Sequence, residues 1–547
     1  MSAPTGSLLA YQAIAAALAD LQVERLFGVL GDANLFYPDH FVRTCGGSFV
    51  AASHESGACL MALGYGLISG KVGVATVTYG AGLVNTLTPL MEGAKGGIPM
   101  ILLCGDSPGG ARNHKHAVPQ RAFVTAAGAG FEAVGSPDGI GADLATAFRR
   151  ALVERRPIVV SIPVDLQWQP AAYSPVRLSA PVLKALAPAG EDLDNAIGII
   201  AAARRPVVLA GRGAISAPAR DAVLRLAERI EAPIATTLKA KGLFDGEPFD
   251  LGVFGTLSSP ATTEIALEAD CLIAFGASLN ADTTSKGAFV CDKRIVHVDC
   301  SAGALGRYVT ADAALFGDVE LVAKNLLHWL DEAEIPGSGY RSDDLRARLE
   351  HAAPDDARFE GGPGTVDIRR TLAALDSALP ADRIVVNDAG RHVFESWRNL
   401  RAAGPASLIN TNNCGSIGLS LSHGIGAAFA AEGRPVVVVC GDGGFMHGCL
   451  AEFNTAVRYG CDLIVLVCND GSYGAEYVQY QSRDFDPSIS LFEWPEFAEV
   501  ANALGGQGVT VECDADLEIA ISAINSRTGP ILVDIKTNPA SMPNHSR

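Results

Sequence analysis

At 547 residues the chain is too long for one ordinary core, and about 150 residues per domain points to three or four, of which three is the starting count. Hydrophobic residues make up 48% of it, yet no apolar run approaches the roughly 20 residues of a membrane helix, so the apolar content belongs to buried sheets. A net charge of −18 without any basic block argues against nucleic acid as a partner, and twelve cysteines, no two closer than seven residues, exclude CxxC zinc or redox motifs and a disulfide framework.

The start, "MSAPTGSLLAYQAIAAALADLQVERLFGVLGD", lacks the basic n-region of a signal peptide and reads as an amphipathic helix leading into a strand, so a cytoplasmic protein is expected. Apolar, β-branched runs then alternate with helical patterns: "RLFGV", "SFVAAS", "VGVATVT", "IPMILLC" and "PIVVSIP" first, "PVVLAG", "CLIAFGA" and "RIVHVD" next, and finally "IVVND", "VVVVCGD", "LIVLVCND" and "ILVDI". Strands apolar on both faces and separated by helices mark parallel sheets covered by helices, so the expected class is α/β, built as doubly wound domains. Residues 167–190 carry Pro170, Pro175, Pro181 and Pro188 and read as an extended connector; residues 331–364, ending in "APDDARFEGGPG", read as a second. The modules expected are 1–170, 190–335 and 365–547.

Two of the last strands end in acid-bearing, glycine-rich turns, Gly441-Asp442-Gly443-Gly444 and Asn469-Asp470-Gly471-Ser472. A strand running through such a turn into a helix aims backbone N–H groups at one point, a geometry that binds phosphate. Asp442 would repel a bare phosphate, so its presence implies a bridging divalent ion, and Mg2+ suits one or two carboxylates plus phosphate oxygens. Each turn alone fits ordinary punctuation, with glycine for positive φ and Asp as helix cap. Two of them on adjacent strands, with Asp442 and Asn469 27 residues apart, point to a shared ligand.

That spacing resembles the thiamine-diphosphate signature, GDG followed at a fixed distance by Asn-Asn, of the acetolactate synthase and pyruvate decarboxylase superfamily. The resemblance spans the chain and implies a pyrimidine-binding, a central and a diphosphate-binding domain, in that order. The sequence departs from the pattern in having Asn-Asp. Counting from Asp442 selects Asn469 as the second metal ligand; aligning "NDGSYGAE" with the decarboxylase form selects Asp470 and the Ser472 carbonyl, and also brings Tyr473 and Glu476 onto family positions, so Asp470 is preferred.

The resemblance implies further site residues. Glu55, in "FVAASHESGACLMALGYG", would hydrogen-bond the cofactor's pyrimidine ring nitrogen. In "NNCGSIGLSLSHG", Gly415 would offer its carbonyl to the amino group and Ile417 would wedge beneath the rings. In "NDAGRHVFESW", Gly390 and His392 match a diphosphate loop in which Arg391 replaces Gln, and Gly443, Gly444 and Tyr473 complete the cofactor contacts. In the family the halves meet across a subunit interface, which implies a homodimer or homotetramer.

Asp32 in "FGVLGDANL", Glu476, and His116 in "NHKHAVPQRAF" match proton-handling groups of 2-oxo-acid decarboxylases, although Lys115 stands where the first of two histidines belongs. The middle segment, residues 204–244, looks more like acetolactate synthases. The family's flavin segment is replaced by "GASLNADTTS", so FAD is not expected. A 2-oxo-acid decarboxylase is therefore the expected function: CO2 is lost and the resulting enamine is protonated to an aldehyde or attacks a second carbonyl. An acetolactate-synthase-like carboligase, or a related C–C lyase or hydrolase, is the alternative. A nicotinamide-type oxidoreductase has only "AGRGA" in its favour, and a non-catalytic paralogue would have lost Glu55. The tail "NPASMPNHSR" either covers the site or hangs free.

Overall fold

The computed structural model describes residues 8–108, 114–178, 186–352, 358–359 and 361–541, and among these the apolar runs form three six-stranded sheets. The first holds β1 (Arg25–Gly28), β2 (Ser48–Ala51), β3 (Gly73–Val77), β4 (Met100–Asp106), β5 (Gly130–Ala133) and β6 (Pro157–Pro163), all parallel, in the spatial order β2-β1-β3-β4-β6-β5. The second holds β7 (Pro206–Ala210), β8 (Ile234–Thr236), β9 (Asp250–Val253), β10 (Cys271–Phe275), β11 (Arg294–Asp299) and β12 (Ala313–Phe316) in the order β9-β8-β7-β10-β11-β12. That is the strand order of dinucleotide-binding folds. The third, β13 (Ile384–Asn387), β14 (Leu408–Asn410), β15 (Val436–Gly441), β16 (Leu463–Asn469), β17 (Gln507–Val511) and β18 (Ile531–Lys536), runs β14-β13-β15-β16-β18-β17 and so repeats the order of the first.

The chain divides into two compact units, Met1–Pro181 with Phe359–Leu400 and Ile409–Arg547, and Val182–Arg358 with Arg401–Leu408. The first and third sheets share the first unit. Their helices α1 (Glu55–Ser69) and α3 (Ser420–Ala428) are covered on all sides, and their residues are mostly small or apolar: every residue from Gly57 to Tyr65 is buried, as is every one from Ser420 to Ala427. The two cross so closely that a Cβ on Gly64 would come within 2.1 Å of the His423 carbonyl oxygen, and one on Gly426 within 1.9 Å of that of Met61.

The expected connectors differ in detail. Residues 331–364 are not all linker, because Ser342 caps a helix over Asp343–Glu350, accepting from the Leu345 N–H; its polar composition is that of an exposed helix. Pro170–Ala171 pairs with Leu8–Leu9, and residues 172–178 then run without helix or strand; residues 179–185 lie outside those described. Among the described residues no helix is long and apolar enough to cross a membrane.

Candidate active site

In a doubly wound sheet, ligands bind beyond the carboxyl ends of the strands where the strand order reverses. In the third sheet that point lies between β13 and β15, and a cavity of about 180 Å3 opens there. Gly390 and His392 line it from the turn after β13, Gly415 and Ile417 from the loop before α3, and Asp442, Gly443 and Gly444 from the turn after β15. Asp470, Ser472 and Tyr473 line it from the turn after β16, and Glu476 from the first turn of α5 (Gly474–Gln481).

The two carboxylates converge on one donor. The Ser472 N–H donates to Asp442 Oδ2 (3.1 Å) and to Asp470 Oδ1 (3.0 Å), and the Ser472 hydroxyl also donates to Asp470 Oδ1 at 2.8 Å. Gly443 N–H and Trp494 Nε1–H donate to Asp442 at 2.8 and 2.9 Å. Burial pushes both carboxyls above the usual range, and on Asp442 the neighbouring Asp470 charge adds to it. A buried like-charged pair of this kind calls for a cation. One or two carboxylates beside neutral and phosphate oxygens are the donor set Mg2+ takes, and Asp442 and Asp470 offer two such carboxylates.

The walls fit a diphosphate. A Cβ on Gly443 would come within 2.5 Å of the Tyr473 ring, and one on Gly444 within 3.0 Å of Asp388 Oδ2, so glycine lets this cavity-lining backbone lie close against both side chains. His392 is 4% exposed and its Nε2 is buried without a hydrogen-bond partner among the described residues. Burial pushes its pKa down to about 4, leaving a neutral imidazole with one nitrogen unsatisfied. Asn469 does not line the cavity: its Oδ1 accepts from the Gly471 N–H at 3.2 Å and its Nδ2 donates to Asp534 at 2.9 Å.

The remaining expected residues gather at the switch point of the first sheet. Asp32, beyond β1, accepts from the Thr78 hydroxyl, beyond β3, at 3.1 Å. Tyr79 packs against His114 and His116, ring centroids 5.5 and 4.9 Å away. Gly80, at φ +64°, has the His116 carbonyl oxygen 2.5 Å from where a Cβ would sit. Glu55 is the first residue of α1; it accepts from Asn85 Nδ2 at 3.0 Å and lies 3.6 Å from the Cβ position of Gly82. The Thr78–Gly82 turn thus joins Asp32, His116 and Glu55 in one group, but none of the three lines the cavity beside Asp442. The start of α1 is fixed from the third domain by buried Glu452, which accepts from the Ser53 N–H (3.0 and 3.1 Å) and the His54 N–H (3.0 Å). Sequence reasoning missed Glu452, Trp494 and Asp388; of these only Asp388, an acid closing a strand before Gly390, carried a local signal. Residues 542–547, most of the tail segment, lie outside those described.

In the second unit the glycines of Gly211-Arg212-Gly213 have an intrachain reason. Cβ atoms on Gly211 and Gly213 would come within 2.3 Å of the Gly276 carbonyl oxygen and 2.8 Å of its Cα. They serve close backbone packing between this turn and the one after β10.

Models of thiamine pyrophosphate enzymes match the chain three times: the N-terminal TPP binding domain over residues 9–126, the central domain over 193–326 and the C-terminal TPP binding domain over 388–535. The chain is 30% identical over 550 residues to an acetolactate synthase of Mycobacterium bovis, covering 96% of this chain and 87% of that one. It is 28% identical to an acetolactate synthase of Mycobacterium leprae (96% and 86% covered) and 27% identical to a probable 2-ketoarginine decarboxylase of Pseudomonas aeruginosa (97% and 95% covered).

Proposed function

Because the chain belongs to the thiamine-diphosphate-dependent enzymes of the acetolactate synthase and pyruvate decarboxylase superfamily, we propose that it is a Mg2+-dependent 2-oxo-acid decarboxylase with carboligation as an accompanying reaction. The observation that carries this reading is the cavity lined together by the two buried carboxylates, Gly390, Gly443, Gly444 and His392. Bound there, the cofactor supplies an electron sink for breaking the bond next to a carbonyl. Asp442, Asp470 and the Ser472 carbonyl would hold Mg2+, with Asn469 bracing the turn through Asp534. His392 and the N–H groups of Gly443 and Gly444 would take the diphosphate beside Gly390, while Gly415, Ile417 and Tyr473 would hold the rings. Glu55 of a second copy would keep a proton on the pyrimidine nitrogen, and Asp32, His116 and Glu476 would move protons at the substrate. The working unit is then a symmetric dimer, alone or paired into a tetramer.

The acid-rich set Asp32 and Glu476, and the 2-ketoarginine decarboxylase among the relatives, support decarboxylation; the two acetolactate synthases support a second reading, transfer of the acyl unit to another carbonyl. A panel of 2-oxo acids, incubated with the protein, Mg2+ and thiamine diphosphate, separates them. CO2 with aldehyde is expected. Acyloin or acetohydroxy acid as the main product would replace the first reading by the second, and no CO2 from any oxo acid would remove both.

A further inference from the structure

Helix α2 (Leu87–Gly96) of the first domain carries Glu92, 0% exposed and assigned no part in the site so far. Its Oε1 accepts from Asn413 Nδ2 at 2.6 Å and from the Asn413 N–H at 3.3 Å, and its Oε2 accepts from the Cys414 N–H at 2.8 Å. One turn further along α2, Gly96 leaves room for the same amide, since a Cβ there would come within 3.0 Å of Asn413 Nδ2. All three donors belong to the two residues before Gly415.

The segment they precede is costly to order. Gly415 and Gly418 both stand at φ +80°, a left-handed conformation that suits glycine and costs most in backbone entropy, and Ile417 lies between them. At its far end Asp388, also fully buried, accepts the Gly418 N–H at 3.1 and 3.0 Å and the Ser420 hydroxyl at 3.1 Å. The cavity-lining residues Gly415 and Ile417 therefore hang between two buried carboxylates, one from each domain. Burying a carboxylate is costly unless hydrogen bonds compensate it, and bonds to a charged acceptor are about twice as strong as neutral ones. Packing alone would be served by a neutral side chain.

Resting on the cofactor reading above, we propose that Glu92 is a positioning residue: from the first domain it fixes where Gly415 and Ile417 meet the rings of thiamine diphosphate. The test compares full-length wild type with E92A, E92Q and E92Q/N413D. Each metal-saturated apo protein is titrated with thiamine diphosphate, followed by tryptophan fluorescence, with its melting temperature measured alongside. E92A and E92Q should weaken binding by about tenfold or more, since a shift of about 1 Å in a positioning group is costly. E92Q/N413D reverses donor and acceptor at the side-chain contact while leaving the Asn413 and Cys414 N–H groups facing a neutral amide, so it should recover part of the affinity lost in E92Q. Unchanged affinity in both single variants, or a loss in E92Q that the double variant leaves unrecovered, overturns the role whatever the melting temperatures do. If E92A does not fold, the pair E92Q and E92Q/N413D decides alone. Wild type that fails to bind would instead sink the cofactor reading itself.

Discussion

Asn469 and Asp470 are neighbours at the end of β16 with different surroundings, one tied to Asp534 and the Gly471 N–H, the other facing the cavity with Asp442. D470A should therefore weaken Mg2+-dependent cofactor binding by about a hundredfold, and N469A, a supporting contact, by about tenfold or less; the reverse ranking in a titration would reassign the ligand. Proton linkage gives a second readout. The raised carboxyls of Asp442 and Asp470 keep protons in the folded metal-free protein at pH values where the unfolded chain has lost them. Stability of that form thus falls as pH rises upward from the ordinary carboxylate range. Mg2+ takes the place of those protons, so its gain in Tm should be larger at pH 8 than at pH 5, and an equal gain at both would count against this pair as the metal site. The two turns were legible because glycine, acid and strand ending lie next to one another in the sequence. Glu452 and Glu92 were not, since each grips backbone groups of the other domain, Ser53 and Glu452 being 399 residues apart.

Whole elements divide along the same line. Interior strands such as β4, with Met100 to Gly105 all buried, appear in the sequence as unbroken apolar runs. Of the six edge strands β2 does so too, but β5, β9, β12, β14 and β17 do not: in β12 Ala313 and Leu315 are buried while Ala314 and Phe316 are exposed, and such a half-covered strand leaves no run. The turn after β15 hides a further feature. Asp442–Gly444 begins a helix, Phe445–Cys449 is a π turn, and the α-helix resumes as α4 (Leu450–Arg458). The widened turn, of a type frequent at functional sites, precedes Glu452, which reaches the start of α1. Helix crossing gives a prediction that composition could not. G426A drives a methyl into the Met61 carbonyl and should cost about 2 kcal/mol or more. G198A, at an exposed position of the helix Glu191–Ala202 with open space around its Cβ position, should instead stabilise by about 0.5–1 kcal/mol. Urea midpoints measure both, and a harmless G426A would mean the helices part more easily than their contact implies.

For the whole molecule the proposed function asks that two groups of residues, which do not line one cavity in the single chain, act together. Glu55 belongs with Asp32 and His116 at one switch point, and the cavity with Asp442 and Asp470 lies at another. Since the first and third sheets share one strand order, a two-fold axis relating two copies could bring the first switch point of each to the second of its partner. Complementation tests this arrangement directly. E55Q and D442N, each inactive alone, should regain activity when unfolded together and refolded. Half of the dimers are then mixed, and each mixed dimer holds one doubly altered site and one intact site. The expected recovery is about a quarter of the wild-type rate, because half the dimers each contribute half their sites. A centre completed within one chain would recover nothing, since every chain in the mixture carries one defect. Separate pre-folded pools should stay inactive on mixing until subunits exchange, so the delay in recovery also measures how tightly the two copies hold together.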